Sequence, residues 1–232
     1  MRNTLIGNFN EFVNFTNVTS FANTEFLRST LSAIKIPDSL LYLGNWSGDG
    51  VFGYTHLKEF DAKNAVRANN GTFAYCALLS EVKAKHLKNT TATFRNCPKL
   101  NRLILPSLTN NTNASIGNGG SMLQSSGVKM CDIGSNLVYL ADYFDYGTSS
   151  CVVVIRSKSF TINKNAFRSS IRVYCTSEMY SYLTNSTNNA RPGIVYEIGS
   201  EDWVSRYGSA DPYANLTQEE YDYYYKDIVE QG

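Results

Sequence analysis

The apolar positions of this chain fall into a phrase that is used more than once. Phe73, Cys76, Leu79, Val82 and Ala84 are followed 21 residues later by Phe94, Cys97, Leu100, Leu103 and Leu105. In both copies an aromatic is answered by Cys at +3 and by apolar residues at +6, +9 and +11. With one residue removed after the aromatic, the phrase extends back to Phe52, Leu57, Phe60 and Ala62, and to Phe26, Leu31, Ile34 and Ile36. It runs on more loosely through Leu123, Val128, Cys131 and Ile133, then Phe144, Val153 and Ile155, then Phe167, Ile171 and Val173. The leading residues 26, 52, 73, 94, 123, 144 and 167 are separated by 26, 21, 21, 29, 21 and 23 residues, so the period is interrupted by insertions.

A unit of this length with an L-x-x-L-x-L core is too small to bury its own apolar face and must stack on its neighbours. The pattern therefore predicts a leucine-rich-repeat solenoid, α/β or mainly β, with parallel strands at irregular spacing of 21–29 residues. In each unit the last apolar pair makes a short strand whose middle residue points outward, because side chains alternate at period two. The outward row then reads Lys35, Asp61, Lys83, Ile104, Asp132, Val154 and Arg172. Of these, Lys35, Asp61, Lys83 and Asp132 are candidate binding residues. Segments such as Asp38–Gly44 and Gly134–Leu140 predict a second set of shorter strands or turns on the far side. The polar, Asn- and Gly-rich stretch 110–121 predicts a surface loop.

The two ends depart from the phrase. Ile6, Phe9, Phe12, Val13 and Phe15 suit a short amphipathic helix that covers the open end of the core, making residues 1–15 an N-terminal cap. Residues 16–193 form the repeat array and residues 194–232 an acidic extension. In that extension Ile194–Ile198 predicts a final strand. Thr217-Gln-Glu-Glu220 matches a capping box, predicting a helix from about Gln218 through Val229. Tyr221, Tyr225 and Ile228 share one face of it with Tyr224 at its edge. This acidic, tyrosine-rich face is expected either to cap its own solenoid or to dock on a partner, including another copy of the chain, because tyrosines are enriched at interfaces and opposite charges steer association.

Charge sharpens that reading. The net charge is +1 over 232 residues, which argues against a general nucleic-acid or membrane-surface role. Yet residues 1–193 hold 19 basic against 11 acidic side chains, while residues 194–232 hold 2 against 9. No apolar run is long enough to predict a membrane span. The segment Met1–Phe9 lacks the apolar core of a secretory signal, so export by another route, a start after a removed signal, or assembly inside a cell is expected. The 5 cysteines, Cys76, Cys97, Cys131, Cys151 and Cys175, form no C-x-x-C pair and read as small buried thiols, not as ligands or disulfides.

The chemistry-bearing residues are few. His56 and His86 are the only histidines, and His56 occupies a variable turn position. No G-x-S-x-G, H-E-x-x-H or P-loop occurs. The best carboxylate pair is Asp142 and Asp145, flanked by aromatics in the manner of a glycan-cleaving site, or else turn residues around a core Phe144. The expectation is a chain that is not an enzyme and has no cofactor and no metal. Trp46, Tyr54, Tyr143 and Tyr146, near the insertions, are candidate contacts because such rings can meet a sugar or fill a protein pocket.

The phrase F-x-x-C-x-x-L-x-x-L-x-L-P, with I-P-D-S-L-x-x-L-G at 36–44, resembles the BspA-type leucine-rich repeats of bacterial surface proteins. It is similar also to repeat-bearing structural proteins of tailed phages of gut bacteria. The resemblance covers about residues 15–190 and departs at the 110–121 insert, after Ala62 and Ala84 where proline is missing, and in the C-terminal extension. It implies non-enzymatic protein or glycan binding or adhesion on a cell envelope or a virion; together with the missing signal and a C-terminal extension suited to assembly, the expectation is a structural or host-contacting part of a phage virion. The alternatives are a bacterial cell-surface adhesin and, more distantly, a carbohydrate-active enzyme. The implied partners are other virion or cell-surface proteins, copies of the chain itself, and host surface glycan. The implied location is the virion or the cell surface.

Overall fold

In a computed structural model the chain winds into a parallel-strand solenoid of about seven turns. The structure describes residues 6–9, 16–22, 25–44, 50–111, 122–142, 144–145, 150–163, 165–167, 171–185 and 194–230. One face carries β1 (Ile6–Phe9), β3 (Thr30–Ile34), β5 (Glu59–Asp61), β7 (Glu81–Lys83), β9 (Arg102–Leu105), β11 (Met130–Ile133), β13 (Val152–Ile155), β15 (Arg172–Cys175) and β16 (Ile194–Glu197). The other face carries two-residue strands: β2 (Ser20–Phe21), β4 (Tyr42–Leu43), β6 (Arg67–Ala68), β8 (Asn89–Thr90), β10 (Asn110–Asn111), β12 (Tyr139–Leu140) and β14 (Thr161–Ile162). These seven form one sheet in sequence order, and the longer strands form a five-stranded sheet from β9 to β16 with the pairs β1–β3 and β5–β7 before it. Every strand pairing among the described residues is parallel.

The core is the repeated phrase made solid. Phe26, Phe52, Phe73 and Phe94 stack face to face at centroid steps of 5.3, 5.5 and 5.6 Å, with planes within 10° of parallel. The aliphatic positions behind them, including Leu31, Leu57, Leu79, Leu100 and Val128, are fully buried in the same continuous cluster. All five cysteines lie in it too. Cys76 and Cys97 direct their thiols at the carbonyls of Phe52 and Phe73, one turn earlier, at 3.0 Å each. Burial pushes the Cys151 and Cys175 thiols up to about 12, so they stay protonated and pack as small hydrophobes.

Close stacking demands glycine at particular points. A Cβ on Gly134 would lie 1.9 Å from the Pro106 carbonyl oxygen, so no other residue lets these two turns approach.

One expectation is corrected at the N-terminal end. Residues 6–9 are strand, not helix, and pair in parallel with β3; four residues carry too little periodicity to tell a helix from a strand, and the pairing decides it. The rest of the expected helix, and residues 112–121 of the expected loop, lie outside the described residues, while 110–111 belong to β10. At the other end the array closes with α1 (Ser177–Thr184), which buries Met179 and Leu183, and β16 then adds a last parallel strand to β15.

Candidate functional site

The outward row of the longer strands divides into two halves. In the first, Lys35 and Asp61 are exposed and Lys83 is half-buried. They border an open groove of about 470 Å³ floored by Ile34 and Phe60 and edged by Glu59, Lys63 and Glu81. Asp61 and Lys83 face each other across paired strands, so opposite charges alternate along the row. Glu81 lies 3.6 Å from Lys83, and Lys63 reaches Asp38 at 2.8 Å.

In the second half the row is covered. Ile104 is 3% exposed, and Asp132, Val154 and Tyr174 are 0% exposed. Asp132, expected as an exposed binding residue, is therefore corrected to a buried one. The register also corrects the row's last member: Val154 pairs with Tyr174, and Arg172 pairs with Val152 one row earlier. A slip of two residues preserves the in–out alternation, so the apolar pattern alone does not detect it.

The cover is the chain's own C-terminal segment. After β16 it forms α2 (Glu201–Tyr207), closed by Ser200 at its start and by left-handed Gly208 at its end. It then runs back across the strands to α3 (Gln218–Tyr224) and α4 (Lys226–Val229). The expected capping box is present: Glu220 N donates to Thr217 Oγ1 at 3.2 Å, and Thr217 N donates to Glu220 Oε2 at 2.8 Å. The helix breaks at Tyr225, where φ is −120°. That break turns the ring inward.

Trp203 is fully buried against Tyr174, with centroids 5.0 Å apart, and its Nε1 donates to the Asp211 carbonyl at 3.1 Å. Tyr224 packs on Ile104. Tyr225 donates its phenol to Asp132, and Tyr221 rests against Tyr213 at 5.2 Å. Ile228 is half-buried.

Opposite charges bind the segment to the body. Asp202 pairs with Arg172, Glu220 with Arg102, and Asp227 with Lys85 at 2.8 Å. Under them Arg156 holds Asp132, while Asn215 donates to the same carboxylate at 2.6 Å. Arg156 also lies 4.2 Å from the Tyr213 ring centroid and 5.1 Å from that of Tyr225, two rings that touch each other at 5.0 Å, so its guanidinium rests over both members of an aromatic pair. Burial lowers the Asp202 carboxyl's tendency to ionise, but hydrogen bonds from Tyr174 and Arg172 outweigh it and hold its pKa below the usual range. A second groove of about 540 Å³ remains where α3 meets β7 and β9, lined by Lys83, Arg102, Glu219 and Tyr223.

Of the other candidates, Tyr54 is exposed and stacks on Tyr75. Trp46, Tyr143 and Tyr146 lie outside the described residues. Asp145 is fully buried and Asp142 accepts from the Asn165 backbone at 3.1 Å, so each has a place in the turns of the array. Sequence reasoning missed Arg102, Arg156, Tyr174, Trp203 and Asn215. The available signal was the charge imbalance between body and extension.

A model of the BspA type leucine rich repeat region, in six copies, matches residues 6–119 and 86–189. Among solved structures the chain is similar to a leucine-rich repeat protein from Bacteroides ovatus, with 17% identity and a TM-score of 0.40. The match covers 79% of this chain and 59% of that one, so this chain corresponds to less than two thirds of that protein's length. No curated protein matches.

Proposed function

Because the chain belongs to the BspA-type leucine-rich-repeat family, we propose that it is a non-enzymatic binding module whose contact surface is the open first half of the outward strand face. One observation carries this reading. The C-terminal segment covers the row from Ile104 to Tyr174 and stops at Lys83 and Lys85, leaving the groove around Lys35 and Asp61 uncovered. A rigid row of alternating charge over apolar floor suits a protein surface of complementary charge, with the strands preorganised and little ordering entropy to lose.

The finer assignment is to a phage virion, as a structural or host-contacting part, with neighbouring virion proteins as partners. It is supported by the likeness of the repeat phrase to such proteins. The second reading, a bacterial cell-surface adhesin, is favoured by the family itself. In both, the acidic extension serves first as an intramolecular cover, since Tyr224 and Tyr225 are spent on Ile104 and Asp132. No helix among the described residues is long and apolar enough to cross a membrane.

The test is cross-linking mass spectrometry on native material, followed through Lys35, Lys63 and Lys83. Links to capsid, portal or tail proteins place the chain in a virion, and links to envelope proteins make it an adhesin. Links absent from these lysines but abundant elsewhere refute the open strand face as the contact surface.

A further inference from the structure

The turns that enter the strands carry a feature the strand face does not explain. At the second position after each core aromatic stand Arg28, Tyr54, Tyr75 and Asn96, with φ of 58°, 59°, 63° and 55°. This left-handed conformation is one that side chains other than glycine and asparagine rarely adopt. The turns are tied in a column, for Arg28 N donates to Gly53 O, Tyr54 N to Ala74 O and Tyr75 N to Arg95 O at 2.8 to 3.0 Å. The side chains therefore project outward in register. Tyr54 and Tyr75 stack with centroids 4.4 Å apart and planes 6° from parallel. Arg28 covers the free end of Tyr54 at 5.1 Å and Arg95 that of Tyr75 at 5.4 Å.

The result is a four-rung ladder with two cations and no carboxylate among its rungs. Among the described residues neither guanidinium has an ion-pair partner, and the buried Arg95 Nε has no acceptor. Both tyrosines are partly exposed, at 40% and 37%, and neither hydroxyl has a partner among the described residues. An arginine stacked on a ring keeps its in-plane donors free to grip a carboxylate or sulfate. The ring faces, by contrast, are all taken, so neither a nucleobase nor a sugar ring can stack here. What remains on offer is charge and hydrogen bonds along a line.

We propose that Arg28, Tyr54, Tyr75 and Arg95 form a binding site for an acidic polysaccharide. The two guanidinium groups take anionic groups on separated sugar units, and the tyrosine hydroxyls between them hydrogen-bond the intervening sugar hydroxyls. Rungs set 4.4 to 5.4 Å apart match a polymer of pyranose rings better than a single small anion. The basic excess of residues 1–193 draws such a polymer in. This site is separate from the strand face and stands whether or not that face is the contact surface.

The test is titration calorimetry of the full chain with polygalacturonate, dextran sulfate and neutral dextran of similar length. Binding to either anionic polymer and not to dextran is expected, and the preference between them tells carboxylate from sulfate. Arg28→Gln with Arg95→Gln should weaken binding about a hundredfold, roughly tenfold for each charge-assisted pairing removed. Tyr54→Phe with Tyr75→Phe keeps the stack and the fold and should weaken it severalfold. Lys35→Gln with Lys83→Gln, on the strand face, should leave it unchanged. The proposal is overturned if neither anionic polymer binds, if dextran or a thymidine homopolymer binds as well, if the arginine variant binds as the parent does, or if only the strand-face variant loses binding.

Discussion

Arg156 grips Asp132 with two hydrogen bonds, Nε to Oδ1 at 3.1 Å and Nη2 to Oδ2 at 2.6 Å, and the two side chains are 5% and 0% exposed. Both belong to the solenoid body, yet the pair is sealed by the C-terminal segment. Pro212 offers its carbonyl to Nη1 at 2.5 Å, while Asn215 and Tyr225 donate to the carboxylate. Burying two charges costs several kcal/mol per ion, and it is tolerated here because every guanidinium nitrogen and both carboxylate oxygens have hydrogen-bond partners. The pair therefore reports whether the segment is in place.

Removing one partner should be far worse than removing both. Asp132→Leu leaves the Arg156 charge buried and is expected to cost about 3–5 kcal/mol. Asp132→Leu with Arg156→Met should recover most of that loss. Urea denaturation of the two variants measures the difference, and equal destabilisation would show the pair is not the buried unit the geometry indicates.

Deleting residues 199–232 uncovers Ile104, Val154 and Tyr174 in a single strip on an otherwise intact array. The shortened chain is expected to bind an apolar dye and to self-associate, seen by sedimentation velocity. A monomeric, dye-free product would mean the segment contributes little cover.

The attachment should loosen at both extremes of pH. Burial holds Tyr225 and Tyr224 above the ordinary phenol value of 10.0 and raises Tyr207 to about 12. A group with a raised folded value contributes stability that is complete below its unfolded value and is lost as pH rises through the folded one. Proteolytic cleavage between Gly208 and Tyr225 should therefore rise above pH 10.0, together with late tyrosinate absorbance. At the acid end, Asp227 is held below 3.8 by Lys85, and Asp202 by Tyr174 and Arg172 against the opposing effect of burial. Their contribution is present above that value and lost as pH falls through the depressed ones. Cleavage that stays flat across both limits would contradict this account.

Gly134→Ala places a methyl 1.9 Å from the Pro106 carbonyl and forces two turns apart. A loss of about 1–3 kcal/mol is expected, in line with other overpacked interiors. Thermal unfolding checks it. Gly208→Ala, with φ of 78° but open space around its Cβ, should cost less, about 1 kcal/mol from the backbone alone.

The repeat array was legible because its signal is local and repeated. Phe73 with Cys76 and Leu79, and Phe94 with Cys97 and Leu100, state the same unit twice, and a unit that cannot bury its own face has to stack. Thr217 and Glu220 announced their helix for the same reason: a capping box is complete within four residues.

What the array does with its outward face was not written locally. Asp132 and Lys83 occupy equivalent strand positions, and nothing in their own turns distinguishes the buried one from the half-exposed one. The difference arises 93 residues away from Asp132, where a break in the helix turns Tyr225 onto it. The ladder of Arg28, Tyr54, Tyr75 and Arg95 is similar in kind: its first three members are spaced at the repeat, Arg95 stands one residue before the equivalent Asn96, and only the pitch of the folded turns brings them face to face. Sequence alone determined the solenoid, its core and the opposite charges of body and extension, because each follows from periodicity or composition. Tertiary structure alone decided which strands the extension covers, because that depends on where a chain of fixed length returns and which buried charges its donors and acceptors can satisfy.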